Sequence, residues 1–283
     1  MKKVITIIII LLLGVGILSY PTISNYINKK NGSFAIQEYA TALKDLDESA
    51  INTEWDKAVQ YNESLAGQPV HDPFIKGSGM AMQDNYNEVL VLNETMGYVT
   101  VPKISVELPI YHGTSNEVLQ KSIGHLEGSS MPVGGEGTHS VLTGHTGLAH
   151  AKIFTDLTEL KEGDLFFIRV LNETLAYKVD QIKVINPDTT DDLRRIDKRD
   201  YCTLLTCTPY AINSHRLLVR GERTEYIPEE KASIKANNVI TDKDYDLVLV
   251  ALIAIIIVLI AVLIAHKKNL KRQEDDDRTR WDE

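Results

Sequence analysis

The sequence predicts a mainly β domain, an antiparallel barrel or sandwich, with added N-terminal helices and an apolar membrane helix at each end of the chain. Three observations predict it. From Gly97 onward, short runs rich in β-branched and aromatic residues are separated by turns rich in Gly, Pro and Asp. Before them, AIQEYATALKDLDESAINTEWDKAVQYNESL repeats apolar residues at three-to-four spacing without Gly or Pro. Long apolar runs bracket the whole.

The outer segments come first. Residues 4–20 are apolar apart from one Thr and one Ser, and residues 247–265 carry no polar side chain. Such runs cross a bilayer as helices, because the hydrocarbon core is about 30 Å thick and a helix rises about 1.5 Å per residue. Lys2 and Lys3 precede the first run, and Lys267, Lys268, Lys271 and Arg272 follow the second. Positive flanks stay in the cytoplasm. The tip 1–3 and the tail 266–283 are therefore expected inside the cell membrane, and the region between the spans outside it. LSYPTIS offers no A-x-A-like cleavage site, which favours a retained anchor over a removed signal peptide. The acidic run Glu274 to Asp277 reads as a solvated tail.

Between the spans, residues 33–66 are expected to be a helical extension. AGQPVHDPFIKGSG then breaks the pattern, so residues 67–79 form a loop. MAMQDNYNEVLVL returns to the domain as a helix and a short strand. GYVTVPKISVELPIYHG alternates around two prolines, as strands broken by bends do. HSVLTGH, DLFFIRVL, ETLAYKVDQIKVI, YCTLLTC and HRLLVRGERTEY supply further strands. The β domain is assigned to residues 80–226 and a polar linker to 227–246.

A net charge of −9 excludes nucleic acid as an expected partner. The two cysteines, Cys202 and Cys207, lie on one predicted strand. Five strand residues span about 16 Å, whereas a disulfide needs Cα atoms within about 7 Å. An odd separation also points the two thiols to opposite faces. No disulfide is expected.

Cys207 ends an apolar strand and precedes Thr208-Pro209, which puts its thiol where a strand meets a loop. Attack requires the thiolate, favoured beside cations. Arg216 opens the next strand after a hairpin-length link, which brings it beside Cys207. An alternative role for it is a surface ion pair. Of eight histidines, His145 stands in LTGHTG, where flanking glycines leave room around an imidazole able to exchange protons. Its plain alternative is a structural histidine. His139, His145 and His150 fit no compact zinc pattern and lack accompanying acids, so neither metal nor cofactor is expected. His215 points away from Arg216 and reads as structural or surface. Cys and His together suit thiol acyl transfer. An Arg cannot orient the imidazole by accepting its N–H, but it stabilises a thiolate and an oxyanion.

TLLTC, LTGHTG and CTPYAINSHRLLVRG closely resemble the sortases of Gram-positive bacteria, whose signature is a TLxTC strand end, an upstream Gly-His and an Arg nine residues after the Cys. VPKISVELPIYHG, IGHLEGSSMPVGG and the LKEGD turn add to the resemblance, which covers residues 97–223. CTPY-x-x-N-x-HRLLVRG before a second membrane helix, and HDPF upstream, resemble class C, the pilin polymerases. Ala211 stands where such sequences often have Gly, and Ser214 where they often have Thr.

The resemblance implies a closed or nearly closed eight-stranded barrel. It implies that Cys207 attacks the Thr–Gly carbonyl of an LPXTG-like sorting signal, that His145 protonates the leaving amine, and that Arg216 holds the oxyanion. Thr206 would help position the motif. The acceptor would be a lysine amine of another pilin. Asp72, Pro73 and Phe74 would form a lid, with Asp72 facing Arg216 or Cys207 and Phe74 filling the groove. Taken alone, HDPF reads as an ordinary turn. Three other readings compete: a housekeeping sortase that anchors proteins to the cell wall, an exported cysteine protease, and a membrane-tethered binding domain without catalysis.

Overall fold

A computed structural model of the chain describes residues 2–65, 71–74, 85–234 and 242–281. Two units emerge, one of Met1–Ser24 with Ile240–Glu283 and one of Asn25–Val239. The first unit is helical. It holds the apolar half of α1 (Lys2–Lys44), which meets the length and hydropathy of a membrane span, and α5 (Asp242–Trp281), which contains the second apolar run.

The second unit begins with the polar half of α1 and with α2 (Glu48–Ser64). The helical extension expected at 33–66 is thus two helices, the first continuous with the apolar run. Asp47 divides them: it caps α2 by accepting from Ala50 N at 2.8 Å, satisfying one of the orphan donors of a helix start. α1 docks on the barrel through Tyr39, whose hydroxyl donates to Met96 O at 3.3 Å and accepts from Leu171 N at 2.7 Å. α2 docks through Asn62, which exchanges two hydrogen bonds with the Met131 backbone.

Eight strands close the barrel: β1 (Thr95–Val101), β2 (Val106–His112), β3 (Ile123–His125), β4 (Thr138–Thr143), β5 (Leu165–Val170), β6 (Glu173–Ile185), β7 (Asp200–Thr208) and β8 (His215–Thr224). Their order around the barrel is β1-β2-β3-β4-β7-β8-β6-β5, and β5 returns to β1. A small helix, α3 (Asn116–Lys121), leads into β3, and α4 (Pro228–Ser233) lies in the segment expected to be a plain linker. Two joints, β2–β3 and β4–β7, are parallel. The antiparallel barrel or sandwich expected from the many short strands is therefore a closed barrel of mixed pairing. The returning segment supplies a 3-10 turn at Tyr86–Glu88 and the bridge Leu92↔Thr95, not a full strand. Residues 67–70 and 75–79 of the loop, 80–84 of that return and 235–241 lie outside the described residues.

The interior holds one large apolar core that includes Val99, Ile110, Leu142, Phe166, Ile168, Leu204 and Val219. Each such side chain contributes about 1.5–3 kcal/mol of burial. A second cluster forms separately from Leu126, Val141, Ile185, Leu193, Leu205 and Leu218, with Phe74 packed against it. On β4, β7 and β8 its members alternate with interior residues, so this cluster paves the outer face of three neighbouring strands.

Candidate active site

The three candidate side chains lie on, or just beyond, three neighbouring strands of the sheet, β4, β7 and β8. Cys207 and Arg216 are direct partners across β7 and β8, as the short hairpin requires. β4 runs parallel to β7 on its other side, in the register Thr143↔Leu205. His145 follows β4 by two residues. Gly144 N donates to Leu205 O at 3.1 Å and continues the β4–β7 contact past the strand end. The imidazole thereby emerges at the same end of the barrel as the thiol.

Thr206 lies on the opposite side of β7 from Cys207 and is 1% exposed. Its hydroxyl donates to Gly144 O at 2.7 Å. That bond ties β7 to the residue just before His145.

The segment Asp72–Phe74 covers this end. Arg216 Nε donates to Asp72 Oδ2 at 2.6 Å and Nη2 to Asp72 Oδ1 at 3.1 Å, a two-pronged pair with both side chains buried. Arg216 Nη1 donates to the carbonyls of Asn213 and His215. Every guanidinium nitrogen is therefore engaged. Phe74 N donates back to Asp72 Oδ1 at 2.8 Å, an Asx turn that Pro73 pre-shapes by fixing its own φ. The turn lays the Phe74 ring 5.1 Å from the Arg216 guanidinium and 5.4 Å from the His145 ring.

This arrangement decides the state of the thiol. Cys207 is 8% exposed. Its pKa is pushed up from 9.0 to about 11, first by burial, with Arg216 acting downward and Asp72 upward. The proximity of Arg216 predicted from sequence is present, but burial outweighs it and the Asp72 carboxylate opposes it. Burial also lowers the His145 pKa, with His150 adding to the effect. The covered site thus holds a neutral thiol beside a base less easily protonated than a free imidazole. Among the described residues, no hydrogen bond joins His145 to Cys207.

The remaining sequence candidates have other employment. Cys202 is a free, fully buried thiol inside the barrel, on the opposite face of β7 from Cys207. His139 is buried between Arg194 O and the Thr203 hydroxyl, His150 bonds Gln120 O, and His215 bonds the Ser214 hydroxyl. Ala211 has φ +65°, a left-handed conformation in which glycine is relaxed and alanine strained. Sequence reasoning passed over the apolar floor of Leu126, Val141, Ile185, Leu193, Leu205 and Leu218. Alternation with Cys207 marks Leu205, but Leu193 enters from the β6–β7 loop with no periodic signal.

Comparison with known proteins agrees with this geometry. Residues 99–224 match the family model described as Sortase domain. Sortase D of Bacillus subtilis is 25% identical over 175 residues, covering 61% of this chain and 85% of that protein. The solved structure of sortase C-1 from Streptococcus pneumoniae is 48% identical, with a TM-score of 0.64, over 68% of this chain and 98% of that one. A pilus-related sortase C of Group B Streptococcus is 46% identical, with a TM-score of 0.63, over 67% of this chain and 97% of that one.

Proposed function

Because the chain belongs to the sortase family of cysteine transpeptidases, we propose that it is a class C, pilus-assembling member that uses Cys207 as nucleophile, His145 as proton carrier and Arg216 as oxyanion partner. The observation that carries this reading is the placement of all three groups on adjacent strand ends beneath Asp72–Phe74. The acyl donor is an LPXTG-like sorting peptide lying on the apolar floor that Phe74 occupies here.

The steps follow from the groups. Asp72–Phe74 leaves, water and substrate replace it, and Arg216 regains free N–H donors. The Cys207 thiol gives its proton to His145, and the thiolate adds to the threonine carbonyl. Arg216 then faces the developing oxyanion, where a fixed cationic donor stabilises charge best. As the tetrahedral centre collapses, the C–N bond to glycine breaks and the imidazolium returns its proton to the departing amine. A thioester remains. A lysine amine of a second pilin attacks it and gives up a proton to His145; the C–S bond breaks, the imidazolium returns the proton to the departing thiolate, and an isopeptide bond and a free thiol remain.

The flanking lysines and arginines orient both termini towards the cytoplasm, with the barrel outside and the second apolar run of α5 as a second span. Enzyme and membrane-held substrates then share one surface, which raises their effective concentration. The test uses the full chain in detergent micelles, wild type and Cys207→Ala, incubated with an LPXTG peptide and read by intact mass. An adduct ending at threonine, absent in Cys207→Ala, is expected. Its absence from folded wild-type and Phe74→Ala chains would overturn the donor assignment.

A further inference from the structure

Two hydroxyls of β4, those of Ser140 and Thr143, are buried without a hydrogen-bond partner among the described residues. Their settings differ. Side chains alternate across a strand. Ser140 shares the interior side with Leu142, a core residue. Thr143 shares the outer side with Val141, which belongs to the cluster beneath Phe74. It also stands two residues before His145, and its register partner on β7, Leu205, stands two residues before Cys207. On the other side its partner is Gly124 of β3, where the Gly113 carbonyl and the apolar side chains of Val118 and Leu119 of α3 fill the place of a side chain.

Thr143 is therefore a fully buried hydroxyl on the catalytic side of the sheet, in the row that ends at the reactive groups. Leaving such a group unpaired costs about 1–3 kcal/mol, and an apolar residue of the same shape would avoid the cost. Valine has that shape. The phenyl ring of Phe74 offers no good partner to a hydroxyl. An extended peptide in the same place offers a backbone N–H and C=O at every residue. Phe74 packs on the cluster that includes Val141, on the same face of β4 as Thr143, so a peptide laid in its place brings such groups to the row that contains the unpaired hydroxyl.

We propose that Thr143 is a substrate-positioning residue whose hydroxyl hydrogen-bonds the backbone of the sorting peptide and sets its scissile carbonyl between Cys207 and His145. The proposal rests on the reading that the outer face binds a sorting peptide. The test compares Thr143→Val and Thr143→Ser with wild type, as full chains in micelles carrying Phe74→Ala. Three quantities are read: thermal midpoint, Cys207 alkylation by iodoacetamide, and acylation rate against LPXTG peptide concentration. The valine variant is expected to keep or raise the midpoint and to alkylate as wild type. Its half-saturating peptide concentration should rise about tenfold, the equivalent of about 1.4 kcal/mol. Serine should restore acylation to within about twofold of wild type. Acylation by the valine variant equal to wild type overturns the role of Thr143 alone. A fall in its midpoint with slowed alkylation assigns Thr143 to folding and also overturns it. No adduct even with the wild-type residue at 143 removes the sorting-peptide reading, and this role with it.

Discussion

Removing the cover should bring the Cys207 titration down towards an ordinary thiol. The perturbation is Asp72→Asn combined with Phe74→Ala. It removes the carboxylate that raises the thiol pKa and opens the burial that raises it most, while leaving Arg216 free to lower it. The covered thiol titrates at about 11 against an ordinary 9.0. A return to the ordinary value multiplies the thiolate fraction at neutral pH about a hundredfold. A less basic thiolate is also a weaker nucleophile, with a Brønsted slope of about 0.4–0.5, so the net gain in alkylation rate is about tenfold. The assay is iodoacetamide labelling from pH 6 to 11, with peptide mapping to separate Cys207 from Cys202. Cys202, sealed in the barrel, serves as the internal unreactive control. Better access alone would raise the rate equally at every pH. The inflection is therefore the decisive reading, and an inflection unmoved in the double variant would refute the account of what holds the thiol neutral.

Four other outcomes are expected. Arg216→Lys should lose most acylation, since an ammonium cannot reproduce the planar fork beside Cys207, and near-normal turnover would remove Arg216 from the mechanism. Thr206→Val leaves the Gly144 carbonyl without its donor, and should cost about 1–3 kcal/mol in folding stability and slow acylation, read by denaturation and by adduct formation. Ala211→Gly should raise stability by about 1 kcal/mol, because φ +65° is strained for alanine, measurable as a shift in denaturation midpoint. The barrel should also weaken in acid: burial lowers His125 and His139 from 6.5 to about 4. An unfolded chain binds those protons below pH 6.5 while the folded one does not, so stability is full above 6.5 and declines until about pH 4. Denaturant titrations across that window should show it, and replacing His139 by glutamine should flatten the slope.

Much of this architecture was legible from local patterns. Alternation identified the strands from β4 to β8, and the hairpin after Cys207 placed Arg216 beside it. β3 escaped because three residues, Ile123 to His125, are too few to show a period. The continuity of α1 escaped because its composition turns from apolar to polar within one helix. The β4–β7 joint is parallel and pairs Thr138 with Asp200 across a long stretch of chain, so no local signal announces that His145 stands beside the Cys207 strand. HDPF by itself reads as a turn, and it is one. What sequence could not weigh was burial against charge: Arg216 lies where spacing put it, yet the Cys207 thiol is driven up.

The placement of the candidate catalytic groups at the ends of three hydrogen-bonded strands acts like a reading frame. Each ladder fixes which residue opposes which, and a slip of one residue turns every side chain to the other face. One residue inserted into β7 ahead of Thr206, with the start of the strand held in register, would send the Cys207 thiol into the barrel and bring Thr206 to the outer face, although no residue had been lost. The same insertion at the β5–β6 turn, outside these ladders, would leave the phase intact. Tolerance to length change along this chain should therefore follow the frame of β4, β7 and β8 more closely than distance from the thiol.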